Sequence, residues 1–196
     1  GVQTCALPIS FCESPEVEDL IRAEAEAGEV LEIGAVAQQM MKQLAQRLQR
    51  DGGVALVIDY GHTQTCLGDT LQAVRSHTFV DPLRDPGEAD LTTHVDFAAL
   101  ARAARAGGAQ TFGPAPQGEF LLRLGIVERT QALLRKANPE QAAELEAALV
   151  RLVSTGQDVQ VTAGKISGMG GLFKVLAVAQ EGLPQPAGFS EEPKAA

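Results

Sequence analysis

The hydrophobic positions change period along the chain, and the changes mark its elements. Between residues 35 and 50, Val36, Met40, Leu44 and Leu48 recur every four residues, with Lys42, Arg47 and Arg50 among the polar positions between them. That spacing predicts an amphipathic helix, stopped by Asp51-Gly52-Gly53. Residues 54–58 (VALVI) then form a continuous apolar run, short and rich in β-branched side chains. Such a run reads as a strand buried on both faces of a parallel sheet. It ends in Asp59-Tyr60-Gly61-His62, so polar groups gather at its carboxyl end, where open α/β sheets bind ligands.

The remaining pattern fills in around this strand. Ser14-Pro15 opens an acidic helix that Gly28 can end, and the alternation of residues 29–33 suggests a short strand. Residues 63–95 read mostly as loop, with turn signals at Asp81-Pro82 and Asp85-Pro86-Gly87. Asp96 can cap a helix running to about residue 105, with Phe97, Leu100, Ala101 and Ala104 on one face. Residues 109–112 are a strand candidate stopped by Gly113-Pro114, followed by helices over 117–124 and 127–136. A third helix opens at Asn138-Pro139, with Leu145, Leu149 and Leu152 as its apolar stripe. Glycine-rich 156–171 reads as a loop and residues 172–179 as the last strand, in a position to pair antiparallel with 109–112. The fold class is α/β.

Composition narrows the function. The chain has 196 residues with 16 Lys and Arg against 25 Asp and Glu, a net charge of −9. Such a chain is a poor phosphate-backbone binder, and with 4% aromatics and no Trp it lacks base-stacking platforms. Nucleic acid and membrane are therefore not expected partners; no apolar run approaches the ~18 residues of a membrane span. Cys5, Cys12 and Cys66 form neither a disulfide framework nor a zinc pattern, which points to a reducing, cytoplasmic compartment. The opening GVQTCALPIS reads unlike the rest of the chain, as an adapter-derived or non-native segment. The expected organisation is 1–10 non-native, 11–180 one domain, and 181–196 a disordered tail.

Two stretches concentrate chemistry. In GVALVIDYGH, Asp59, Tyr60 and His62 either line a ligand crevice or serve as turn cap and packing residues. In DPLRDPGEADLTTHVDF, the loop gathers Asp81, Asp85, Glu88, Asp90, His94 and Asp96. Its acids suit a cationic side chain and His94 a proton transfer, or the loop is solvated and Asp96 only caps a helix. His62, His77 and His94 have no metal-ligand spacing, and Cys66 has no basic neighbour in sequence to activate it. Gly164, Gly168, Gly170 and Gly171 lack the strand and Lys-Ser/Thr of a phosphate cradle.

Three strings in order, GGVALVIDYGH, GDTLQAV with FVDPLRDPGEADLTTHVDFAALARAA, and APQGEFLLRLGI, resemble the C-terminal half of the MidA family of class I S-adenosylmethionine-dependent methyltransferases. MGGLFKVLAVAQ is similar to the family's last strand and GEVLEIG to the segment before its Asp-Tyr-Gly strand; the likeness covers about residues 28–180. The mitochondrial members assist respiratory complex I assembly by dimethylating an arginine of a core subunit. The resemblance implies strands five to seven of a Rossmann-like methyltransferase sheet, at 54–59, 109–112 and 172–179. A helical insertion at 117–155 would separate the last two.

The family's cofactor motifs lie upstream of the matching part. Glu32-Ile33-Gly34 looks like the start of a glycine-rich turn but lacks its further glycines. The resemblance therefore implies a C-terminal fragment that does not itself hold S-adenosylmethionine in the family manner and is inactive alone. Arginine as nucleophile needs acidic partners to orient its guanidinium. On this basis Asp59, Tyr60 and His62 are catalytic candidates, and Asp90, His94 and Asp96 substrate-binding candidates, with no metal. The implied partner is a protein substrate, a complex I core subunit if the host has one, and the location would be mitochondrial only in a eukaryote. A non-catalytic module that keeps the family's partner-docking surface is the alternative. The bare edge of residues 54–58, without charges to blunt it, is expected to self-associate.

Overall fold

A computed structural model describes residues 26, 28–76, 78–156, 159–162 and 164–189. The chain divides into two compact units, one from Thr65–His94 with the residues up to Gly34, the other from Ala35–Gln64 with the residues from Val95 onward. The predicted acidic helix after Ser14-Pro15 lies outside the described residues.

The larger unit is built on a mixed four-stranded sheet. Helix α1 (Ala35–Asp51) leads into β1 (Val54–His62), and β5 (Val95–Asp96) leads into α2 (Phe97–Ala106) and β6 (Gln110–Pro116). Helices α3 (Gln117–Arg123), α4 (Ile126–Leu134) and α5 (Pro139–Val153) follow, then a hairpin of β7 (Val159–Val161) and β8 (Gly164–Ile166), and β9 (Phe173–Ala179). The strand order is β5-β1-β9-β6. β9 runs antiparallel to both β1 and β6, the pairing expected for the last strand, and β5 runs parallel to β1.

Alternation along β9 divides the core. Leu176 and Val178 face α1 and α2, where Met41, Ala45, Phe97, Leu100, Ala101 and Ala104 are buried. Val175 and Ala177 face Phe120 of α3 and Phe189. Residues after Gln180, expected to lack fixed structure, are packed as far as Phe189: its ring lies 5.2 Å from that of Phe120, and Gln110 donates to the Leu183 carbonyl. Residues 190–196 lie outside the described part.

Several expectations are corrected. The buried face of α1 is Met41 and Ala45 with Leu44 and Leu48 partly covered, while Val36 and Met40 are exposed. Each four-residue step overshoots a turn by about 40°, so a stripe of period four drifts off the core face within three steps. Residues 29–33 form no strand, because the Val30 carbonyl and the Glu32 carboxylate bond the chain at Gly68 and Thr70 instead of a ladder. The 109–112 strand continues through Gly113-Pro114 to Pro116 by way of a bulge between Phe112 and Ala115.

The glycine-rich stretch contains the β7/β8 hairpin, and its other glycines serve close packing. The Met169 amide donates to Arg151 O (2.7 Å) and the Gly170 amide to Ser154 O (2.9 Å), tying the segment to the end of α5. A Cβ at Gly168 would lie 2.2 Å from Ser154 O, and one at Gly170 would lie 2.3 Å from Val153 O.

The smaller unit is not simply loop. Within residues 72–92, β2 (Gln72–Arg75), β3 (Thr78–Val80) and β4 (Asp90–Thr92) form a three-stranded antiparallel sheet in the order β3-β2-β4. Strands of three or four residues are too short for their alternation to stand out between the Pro and Gly turns.

β1 departs most from expectation. Its inward alternates Ala55 and Val57 face the helices, but Val54 (49% exposed), Leu56 (49%), Ile58 (45%) and Tyr60 (40%) form an open apolar row on the opposite face. Over residues 54–60 it pairs with β9 alone, and β5 joins only at Gly61 and His62. It is therefore not buried on both faces among the described residues.

Candidate functional site

The carboxyl end of β1 is the polar tip of the sheet. Gly61 pairs with Val95 and His62 with Asp96. Only glycine fits at 61, where a Cβ would lie 2.1 Å from the Val95 carbonyl oxygen. Strand alternation separates the three β1 candidates: Tyr60 and His62 fall on the open face with Leu56 and Ile58, and Asp59 on the face with Val57. Tyr60 rests on Phe173, ring centroids 4.0 Å apart. The exposed Asp59 accepts a hydrogen bond from the Tyr60 amide at 2.7 Å.

His62 Nδ1 donates to the Gln64 carbonyl, so in the neutral ring Nε2 is the proton acceptor. Asp96 accepts from the Ala99 amide at 2.8 Å and caps α2. The capping role is thus filled, with one carboxylate oxygen committed to it. Asp59, Tyr60, His62 and Asp96 all belong to the larger unit; Asp90 and His94 belong to the smaller one.

Lys174, directly opposite Asp59 in the β1/β9 register, is a polar residue of this tip that the sequence analysis does not single out. Its ammonium donates to the carbonyls of Gly171 (2.5 Å) and Leu172 (3.2 Å), and the Leu172 carbonyl also receives the Gly61 amide. Burial pushes the Lys174 amine below its ordinary value. Its place in the FKV core is the available signal.

In the smaller unit a polar chain runs from Glu32 to His94. Glu32 accepts from the Thr70 amide (2.9 Å) and from the Thr70 hydroxyl. Thr70 Oγ1 in turn accepts the His94 amide (2.8 Å), and the His94 ring meets the Gln72 amide. Glu32, set aside as a cofactor-turn residue, is the anchor of this chain. Asp81 pairs with Arg84 (3.6 Å) and Asp85 with Arg75 (3.3 Å) around a cavity of about 230 Å³. Asp90 lies exposed on β4.

Among the described residues no group of three or more His, Cys, Asp or Glu side chains is placed to hold a metal ion. His77 lies outside them. Cys66 is exposed and free.

A mixed α/β sheet with polar groups collected at the carboxyl end of β1 defines the class: an α/β protein. Residues 8–115 match the model of the family described as "Putative S-adenosyl-L-methionine-dependent methyltransferase". Curated relatives include the protein arginine methyltransferase NDUFAF7 homolog of Drosophila melanogaster, 36% identical over 76% of this chain and 31% of that protein. The mitochondrial protein arginine methyltransferase NDUFAF7 of Homo sapiens is 38% identical over 66% of this chain and 26% of that protein. A crystal structure of a COG1565 superfamily member from Burkholderia thailandensis bound to S-adenosyl-homocysteine superposes with a TM-score of 0.67 at 26% identity, covering 91% of this chain and 44% of that one. The chain belongs to this S-adenosyl-L-methionine-dependent methyltransferase family. It spans about a third or less of the length of the two curated relatives and under half of that solved chain.

Proposed function

We propose that this chain is the C-terminal part of a MidA-type protein arginine methyltransferase whose cofactor-binding part precedes it. The observation that carries the reading is β1, an apolar strand with one edge and one face open over residues 54–60. An upstream strand would cover that edge. In this reading β1 is the fifth strand, β6 the sixth and β9 the seventh, inserted antiparallel between them, with α3–α5 as the insertion. The order β1-β9-β6 and the direction of β9 support that numbering. The relatives named as protein arginine methyltransferases support arginine as the acceptor.

The described residues do not by themselves fit S-adenosylmethionine. Among the described residues no strand precedes the segment before α1, whose glycines Gly28 and Gly34 stand six apart, and Gly52-Gly53 precede β1 instead of following it. The cofactor is therefore assigned to the preceding part of the longer protein. The share of this chain is to present the nucleophile, because methyl transfer depends chiefly on positioning. Tyr60 and His62 line the open face of the tip, with His62 Nε2 free to accept a proton. Within the larger unit Asp96 is the substrate-side candidate and Asp59 holds the Tyr60 amide; Asp90 and His94 are substrate-side candidates of the smaller unit, taken by itself.

The test is methyl transfer by the longer protein, read as methylarginine by mass spectrometry, with Asp59, Asp90 and Asp96 replaced singly by alanine. Arginine methylation that falls in at least one variant is expected. Unchanged turnover in all three removes the site assignment. Cofactor binding without any arginine methylation favours a non-catalytic docking module.

A further inference from the structure

The small sheet carries a row of side chains of which the methyl-transfer reading uses Asp90 alone, leaving Phe79 and Val74 without a role. In the register of β2, Val74 lies opposite Phe79 of β3 on one side and opposite Asp90 of β4 on the other. Directly opposed residues share a face, so Phe79, Val74 and Asp90 form one row across three strands. Gln72, two residues from Val74, is on the same face and opposite Thr92, and its amide meets the His94 ring at 3.4 Å. Phe79 is 72% exposed, an unusual position for a phenylalanine on a structured strand.

The charges on this unit discriminate among its carboxylates. Asp81 and Asp85 are each neutralised by an arginine of the same unit. Among the described residues no hydrogen bond or ion pair falls on the Asp90 carboxylate. The face thus presents an aromatic ring, an aliphatic floor and an uncompensated negative charge in line. The row is about 10 Å from end to end, twice the spacing of neighbouring strands. An arginine side chain lying along it places its aliphatic stem over Phe79 and Val74 and its guanidinium fork at Asp90. The pairing suits guanidinium better than ammonium, because a carboxylate takes the planar fork with two parallel hydrogen bonds.

We propose that the Phe79–Val74–Asp90 row is a docking face for an arginine side chain of a protein substrate. The proposal rests on the arginine-methyltransferase reading and adds to it a specificity surface on the smaller unit. Phe79 and Asp90 are substrate-positioning residues here.

The experiment is fluorescence anisotropy of the 196-residue chain with a labelled glycine-serine peptide carrying one arginine, alongside peptides with citrulline or lysine in its place. Arginine is expected to bind at least about fivefold more tightly than citrulline, which keeps the shape and loses the charge. Asp90→Asn and Phe79→Ala should each weaken arginine binding about three- to fivefold, and Glu88→Gln should not. Both substituted side chains are exposed, and circular dichroism checks that the variants keep their fold. Equal binding of citrulline and arginine, or unchanged affinity in D90N and F79A, overturns the proposal. The two readings separate in the longer protein. Arginine methylation with unchanged KM in both variants removes this face and leaves the methyltransferase. Variant-sensitive arginine binding without methyl transfer keeps the face and removes the enzyme reading.

Discussion

Gly61 and Val95 approach so closely that no side chain fits between them: a Cβ at 61 would lie 2.1 Å from the Val95 carbonyl oxygen and 2.9 Å from the Phe97 ring. This contact sets the two-residue parallel pairing of β5 with the tip of β1, and with it the start of α2 at the Asp96 cap. The Asp-Tyr-Gly-His sequence therefore has a packing requirement at its glycine and polar side chains on either side of it.

Gly61→Ala is expected to lose about 1–3 kcal/mol of stability through overpacking. Thermal denaturation followed by circular dichroism checks it. A variant that melts at the wild-type temperature would mean that β5 and β1 are not held at this contact.

The open edge of β1 predicts self-association of the isolated chain. Apolar strand edges without a charge invite pairing, and residues 54–58 carry none. Sedimentation should detect oligomers, and Ile58→Lys, which places a charge on the open face, should shift the chain toward monomer without loss of helical signal. A compact wild-type monomer would contradict this.

Glu32 receives both the amide and the hydroxyl of Thr70, which in turn holds the His94 amide. Glu32→Ala should speed hydrogen exchange at the Thr70 and His94 amides, while Glu32→Gln, which keeps an acceptor oxygen, should do so less. Equal protection in all three proteins would show that the chain of bonds does not order this segment.

Lys174 gives a pH dependence with a defined sign. Burial lowers its folded-state value below the ordinary 10.5. Between the two values the unfolded chain binds more protons than the folded one, so stability rises with pH through that window. Below it the ammonium is charged in both states and the desolvation cost stands in full. Denaturant unfolding at pH values just below 10.5 should show this rise in the wild type and a smaller one in Lys174→Met. Identical slopes would remove the assignment.

The parts of the fold fixed by local chemistry are legible in the sequence. Asp96 and Asn138 cap helices as expected, Asn138 with Gln141 in a reciprocal pair. The apolar runs at 54–58 and 172–179 both fall on strands of the larger sheet and pair with each other antiparallel. What stays hidden depends on contacts distant in sequence. The exposure of Val36 and Met40 follows from where α2 and β9 meet α1, and the role of Glu32 from a partner 38 residues away. The run at 54–58 reads as buried because its composition is that of an interior strand; its open face reflects the absence of a covering neighbour among the described residues, which composition does not report. Of the site, the β1 tip is visible as a string, but the alternation placing Asp59 opposite Tyr60 and His62 becomes clear only from the register with β9.

The most direct test is hydrogen exchange at the β1 amides that point away from β9, compared between this chain as a dilute monomer and the longer protein that includes its preceding part. Fast exchange over residues 54–60 in the isolated chain and strong protection in the longer protein are predicted, since a further strand would then cover the edge. Equal exchange in both would contradict β1 as an interior strand of a larger methyltransferase sheet.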